Sequence, residues 1–302
     1  MGTYKNRGSL VYQVQQQLQA KLRISESKKE AKKDGTYKQK IFNWSTYKTY
    51  QKHSNYFTAW AKETHDCRTL EQCKPYVSEW LQNRIDSGLS ASTIKTDASS
   101  LAKLYNCSTK DFNINTPARL RSEITRSREE VKRDKHFSAK NNKELINFAR
   151  GTGLRRGELE QLKGQKLVWK GQKPYVVVDV NTKGGRHRES PIIGTQEQIR
   201  SIVNKIENTA PDQKVWGKVH SGADIHSYRR EYAQNYYNNI ARPIEQIPYD
   251  RTNKGSGHKY QSQVYSCRSD LKGTKYDKIA MKEVSLALGH SRIDIIAQHY
   301  LN

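Results

Sequence analysis

Along most of this chain the apolar residues return at steps of three and four, the period of helices lying on a core; between Leu167 and Ile193 the period changes. There, Leu167 to Trp169 and Tyr175 to Val180 read as strands, Thr182-Lys183-Gly184-Gly185 as a turn, and Arg186 to Ile193 as the returning strand. A short run at Gln261 to Tyr265 is one further strand candidate. Strands so few and so close in sequence lack the long crossovers a parallel sheet needs. They predict an α+β fold, with an all-helical N-terminal domain followed by a mostly helical domain that carries a small antiparallel sheet.

The 302 residues suit about two domains, and punctuation suggests where they lie. Residues 1–36 read as an N-terminal helix (Val11, Val14, Leu18, Leu22) followed by a basic segment ending at Gly35. Residues 37–117 read as a helical domain. Ser45 caps a helix bearing Tyr47, Tyr50, Tyr56, Phe57 and Trp60; a second helix spans Leu70 to Asp86; a third starts at Ser90-Ala91-Ser92-Thr93 and runs through Leu101 and Leu104. Residues 118–136 hold Arg119, Arg121, Arg126, Arg128, Lys132, Arg133 and Lys135 with few apolar anchors, as a linker would. Residues 137–302 form the second domain. Its first helix opens at Asn141 with Glu144 and stops at Gly151-Thr152-Gly153; Arg155 then enters a new helix continued by Leu162. Beyond the strands, Thr195 and Gln198 start a helix and Ile225 to Ile240 forms another, whereas Pro243 to Lys275 is polar and has no clear period. Ile279 to Leu288 is helical again, is stopped by Gly289, and restarts after Asp294 to carry Ile296 and Tyr300 on one face.

Charge narrows the class of partner. With 54 Lys+Arg against 30 Asp+Glu the net charge is +24, spread along the whole length, which is the footprint of phosphate-backbone binding on a folded surface. Candidate backbone contacts are Ser92, Thr93 and Lys95, crowded at a helix start where free N–H groups meet phosphate, and Arg126, Arg128 and Arg186. No run approaches the ~18 apolar residues of a membrane helix, and the first residues lack a signal-peptide apolar region, so the chain is expected to be cytoplasmic and to avoid membranes. The four cysteines (Cys67, Cys73, Cys107, Cys267) match neither a zinc spacing nor a disulfide scaffold, which predicts reduced thiols.

Four local motifs carry a resemblance. Thr152-Gly-Leu-Arg155-Arg-Gly-Glu158-Leu, the hairpin Thr182-Lys183-Gly-Gly-Arg-His-Arg188-Glu-Ser-Pro191, the H-x-x-R of His226-Ser-Tyr-Arg229, and Leu288-Gly-His290 followed by Tyr300 together resemble the tyrosine recombinases of the phage-integrase family, in family order. The helical domain is similar, more loosely, to the family's core-binding domain through Gly88-Leu-Ser-Ala-Ser-Thr-Ile-Lys95. The resemblance implies that Arg155, Lys183, His226, Arg229, His290 and Tyr300 are catalytic. It implies a site-specific recombinase or integrase that joins its tyrosine to a DNA 3' phosphate and reverses the reaction on a new partner, needing neither ATP nor metal. Its DNA would be a double-stranded recombination site, bound by a dimer to tetramer, and the work integration or excision of a mobile element; resolution of dimers is the neighbouring alternative.

The chemistry agrees with the residue types. A phosphodiester gains charge on its equatorial oxygens during displacement, and two arginines can hold those oxygens bidentately. Arg155 and Arg229 are the candidate clamp. Tyrosine, with an ordinary pKa of about 10, attacks poorly until its proton is removed or its phenolate is stabilised by cations. His226 lies three residues before Arg229, on the same helix face, and can bond a phosphate oxygen or take the tyrosine proton; His290 can donate to phosphate. Lys183, on a hairpin with two glycines, suits protonation of the leaving 5' oxygen, and Glu158 suits orientation of the cluster. A metal-dependent nuclease would need clustered carboxylates absent from these motifs. A non-catalytic DNA-binding module would keep the charge but have no use for Tyr300.

Overall fold

Serine and asparagine hydroxyl or amide oxygens set the starts of the N-terminal helices, and apolar stripes set their faces. The computed structural model describes residues 8–120, 137–179, 187–247 and 262–301. They fall into two units, Met1–Leu120 and Arg121–Asn302.

In the first unit α1 (Leu10–Gln19) begins where the Ser9 hydroxyl accepts from the Tyr12 N–H at 3.2 Å. It buries Leu10, Val14 and Leu18, whereas Val11 stays 52% exposed, one position off the face the sequence period suggested. A short α2 (Lys28–Lys33) follows, and Leu22 bridges Ile41 beyond it. The long α3 (Trp44–His65) is capped by Asn43, whose side chain accepts from the Thr46 N–H at 2.7 Å; Ser45, expected as the cap, is the second residue of its first turn. The predicted helix from Leu70 to Asp86 divides into α4 (Leu70–Cys73) and α5 (Val77–Asp86), joined by a 3₁₀ turn. Pro75 is the reason: it has no N–H to donate and clashes with the preceding turn. The last helix, α6 (Ala91–Leu104), is capped by Ser90 and packs on α3 and α1. Phe57 is fully buried at the centre of this unit, with Trp80 edge-on at 5.4 Å and Tyr105 edge-on at 6.4 Å between ring centroids. Its truncation to alanine would cost about 3–5 kcal/mol. The N-terminal helix is therefore part of this core.

The second unit opens with α7 (Lys143–Thr152), preceded by Asn142, and ends it at Gly153 in the left-handed region at φ 62°. A Cβ at Gly153 would meet the Tyr232 ring at 2.4 Å, so both backbone and packing demand glycine there. The next helix, α8 (Arg156–Leu159), is a single turn that stops short of Leu162. Then come β1 (Leu167–Lys170), β2 (Lys173–Val178) and β3 (Arg188–Pro191), an antiparallel sheet in that order with Leu167 opposite Val176 and Val176 opposite Ser190. α9 (Gln196–Glu207) starts where Thr195 and Gln198 were expected to start it, the two forming a capping box, and packs on α7. α10 (Ile225–Ile240) crosses α7 and is capped by Asp224.

Part of the polar stretch is ordered by one carboxylate. β4 (Val264–Ser266) and β5 (Lys275–Asp277) pair antiparallel; β4 begins three residues later than the strand expected over Gln261 to Tyr265, whose first residue lies outside the described residues. Asp277, 1% exposed, caps α11 (Lys278–Ala287) and accepts from Arg242 Nε at 2.8 Å and Nη2 at 3.0 Å. Those bonds outweigh burial, hold its carboxyl down at about 2, and tie the end of α10 to the start of α11. Last comes α12 (Asp294–His299). No helix among the described residues is long and apolar enough to cross a membrane.

Candidate active site

The second unit has two apolar cores. One is built from α7, α9 and the sheet, with Phe148, Leu154, Leu159 and Val176; the other from α10, α11 and α12, with Tyr232, Val284, Leu288 and Ile296. The candidate residues come from elements of both.

The end of α11 organises them. The last carbonyls of a helix have no partner within it and carry negative partial charge, which cations satisfy. Leu288 O accepts from Arg155 Nη2 at 3.1 Å and from Arg229 Nη2; Ala287 O accepts from Arg188 Nε at 2.8 Å. Three guanidiniums therefore converge on one helix terminus. The chain leaves through Gly289 at φ 68°, where a Cβ would stand 3.0 Å from Arg188 Cδ. The leucine and glycine of Leu288-Gly289-His290 thus have a mechanical account.

Arg155 precedes α8 and is one-quarter exposed. Glu158 turns back to it, accepting from its backbone N–H at 2.7 Å and from Nη1 at 2.7 Å. The same carboxylate accepts from Arg188 Nη1 at 2.9 Å and Nη2 at 2.6 Å. Glu158 is 3% exposed, and burial alone would raise its pKa; the Arg188 bonds and charge overcome this and hold it at about 2. Arg229 is 1% exposed, gives Nη1 to Gly153 O and sets Nε 3.3 Å from the Tyr300 hydroxyl. Burial, with opposition from Arg155, lowers its pKa to about 10 although Tyr300 favours its charge. It remains a cation at neutral pH.

Tyr300 is not on α12 as the period suggested but at its end, with its N–H on Ile296 O at 3.0 Å. The ring is 3% exposed, and 3.1 Å separates its hydroxyl from His290 Nε2. His226 stands further off, its ring centroid 6.0 Å from that of Tyr300. Although His226 keeps an exposed edge, packing around its ring together with the charges of Arg229 and Arg155 lowers its pKa from the ordinary 6.5, against a pull from Asp224.

Arg155, His226, Arg229, His290 and Tyr300 are thus gathered within one unit of one chain. Lys183 lies outside the described residues, as do Arg126, Arg128 and Arg186. Ser92, Thr93 and Lys95 belong to the first unit: Ser92 and Lys95 are exposed on the first turns of α6, and Thr93 bonds the Ser90 cap at 2.9 Å. The cap is Ser90, which leaves Ser92 and Lys95 free of that duty. Among the described residues no group of three His, Cys, Asp or Glu is placed to hold a metal ion.

No family model and no curated protein matches the sequence, but solved structures match the fold. The site-specific recombinase XerH, bound to palindromic difH substrate in a post-cleavage complex, is 15% identical over 96% of this chain and 90% of its own, with a TM-score of 0.50. This chain has the fold of a tyrosine recombinase. The Tn1549 transposon integrase in complex with circular intermediate DNA is 14% identical over 96% of this chain and 95% of its own, with a TM-score of 0.46. On a tyrosine recombinase fold, the expected α+β arrangement of helical domain and mostly helical domain with small antiparallel sheets is present. The role of Arg188 went unassigned because its signal is slight. It is a charged residue at an inward position of a strand whose neighbours Ser190 and Pro191 are also buried.

Proposed function

We propose that the chain is a tyrosine-type site-specific DNA recombinase, cleaving and rejoining strands through a 3'-phosphotyrosine intermediate in the integration or excision of a mobile element. The observation that carries this reading is the Tyr300 hydroxyl, 3.3 Å from Arg229 and 3.1 Å from His290, beside a cluster with more cations than anions. An arginine N–H can only donate, so Arg229 stabilises the phenolate oxygen as it forms, while neutral His290 Nε2 takes the proton. The oxygen attacks phosphorus, the P–O5' bond breaks, and the 5' oxygen leaves with a proton from Lys183. Arg155, Arg229 and His226 hold the two non-bridging oxygens as their charge grows. Fixed, partly desolvated donors cost little reorganisation at that moment. Double-stranded DNA is the partner, and the excess of +24 supplies affinity that falls with salt. The cleavage described for XerH in its complex with difH fits the same chemistry.

The test uses a pool of nicked duplexes with randomised flanks, incubated in EDTA. A covalent protein–DNA adduct is expected from the wild type and none from Tyr300→Phe; sequencing the trapped DNA would give the site. An adduct that survives Tyr300→Phe would remove the assignment.

A further inference from the structure

Arg156 stands next to Arg155 in the sequence yet makes none of its contacts. Its guanidinium is enclosed by main-chain carbonyls: Nη1 donates to Val219 O at 3.4 Å and His220 O at 2.9 Å, and Nη2 to Ser221 O at 3.2 Å and Ala223 O at 2.6 Å. Four acceptors from one five-residue stretch curl around a single planar cation. The stretch supports the curl from within, since Gly222 N–H bonds His220 Nδ1 at 3.0 Å, Ala223 N–H bonds His220 O at 3.1 Å and Ile225 N–H bonds Ala223 O at 3.0 Å. Immediately after it, Asp224 caps α10 through the Ser227 N–H at 3.2 Å, and His226 is the second residue of that helix.

We infer that Arg156 is a positioning residue: by gathering the carbonyls of residues 219–223 it fixes the entry to α10, and through it the place of the His226 ring at the phosphate. This rests on the reading of His226 as a phosphate ligand given above. Only a guanidinium suits the task. Its five N–H groups lie in a fixed plane and reach several acceptors at once, whereas an ammonium offers three donors from one point. Backbone carbonyls turned toward one another repel and are costly to leave unpaired, so without the cation the loop would open to water. Two consecutive arginines therefore have opposite errands, Arg155 toward the end of α11 and Arg156 toward the start of α10.

The surroundings of His226 make the displacement measurable. The groups facing it are Asp224 and Arg229 on its own element, Arg155 at the start of α8, and Tyr300 beyond α12. A loosened entry admits water to the ring and relieves the desolvation that lowers its pKa, which then moves up toward 6.5.

The experiment compares wild type with Arg156→Lys, Arg156→Gln and Arg156→Ala. Three readouts are taken: the His226 titration by NMR, amide exchange across residues 222–225, and the pH profile of adduct formation on the nicked-duplex pool. The expected result is that lysine fails as glutamine does, with cleavage slowed up to about a hundredfold, as for an angstrom-scale misplacement of a reacting group. The His226 titration should move up, cleavage should be slowed across the whole pH profile, exchange should quicken at 222–225, DNA affinity should hold, and millimolar guanidinium should partly restore Arg156→Ala. Normal behaviour of Arg156→Lys would overturn the inference. So would a loss confined to DNA affinity with a shallower salt dependence, since that describes a phosphate contact. If the wild type forms no adduct, the recombinase reading fails, and the titration and exchange still decide whether the clamp exists.

Discussion

Asp97 in the first unit and Glu158 in the second are both buried among basic groups, and the two clusters are balanced differently. In the helical unit Asp97, fully buried on α6, accepts from Arg84 Nε at 3.2 Å and lies against His53 Nδ1. Arg84 in turn lies over the Trp80 ring at 5.3 Å. One anion has one permanent cation and one imidazole, and the account closes locally. In the second unit Glu158 bonds two arginines, Arg155 and Arg188, and a third, Arg229, finds carbonyls and a hydroxyl among the described residues. Among the described residues this buried cluster has more cations than anions. Burying uncompensated charge is costly, and an anion from outside would relieve that cost. The first cluster holds a fold together; under the proposed function the second would receive a phosphate.

The largest expected effect separates the two directly. Arg229→Lys should lower the rate of adduct formation by about 10²–10³-fold, the usual loss for one transition-state donor, because an ammonium cannot serve two carbonyls and an oxyanion together. Arg84→Lys, measured on the same nicked duplexes, should leave the rate intact. Comparable slowing by both would erase the distinction. Next is Glu158→Gln. With a folded pKa of about 2 against an ordinary 4.5, the carboxylate contributes stability that is fully present above pH 4.5 and is lost as pH falls toward 2. Urea unfolding should show the variant less stable by about 3 kcal/mol at pH 7, with the gap closing across that acid window. A gap that is flat with pH would mean Glu158 has another role. The smallest effect belongs to Asp97→Asn, because Arg84 and His53 keep 26% and 16% side-chain exposure and can turn to water. A loss of about 1–3 kcal/mol in stability, with cleavage by the folded fraction unchanged, is the outcome that fits.

Side chains proposed to do chemistry were easy to find in the sequence, and main-chain partners were not. Arg155, His226, Arg229, His290 and Tyr300 sit in short motifs whose spacing survives any fold, and the structure gathers them. Helix starts at Thr195 and Ser90 were legible because a capping side chain acts within three residues. The break at Pro75 and the placement of Tyr300 past α12 were missed: periodicity counts apolar spacing and does not register where the last N–H is satisfied. Arg188 and Arg156 escaped for a different reason. Their partners are Glu158, Ala287 O and the carbonyls of 219–223, tens of residues away, and a carbonyl has no letter in a sequence. The β4–β5 pair was only half visible, since its anchor is the long-range bond between Arg242 and Asp277.

The shared acceptor at Leu288 has a further consequence. A main-chain oxygen cannot be deleted by changing a codon, so this junction of Arg155 and Arg229 would pass unnoticed through a complete alanine scan. Position 288 would register only as a buried leucine. Reaching it takes chemistry on the backbone itself. Semisynthesis with an ester in place of the 288–289 amide would weaken the carbonyl as an acceptor while every side chain stayed as written, and would expose a determinant of geometry that heredity stores in the shape of a helix end and not in any one residue.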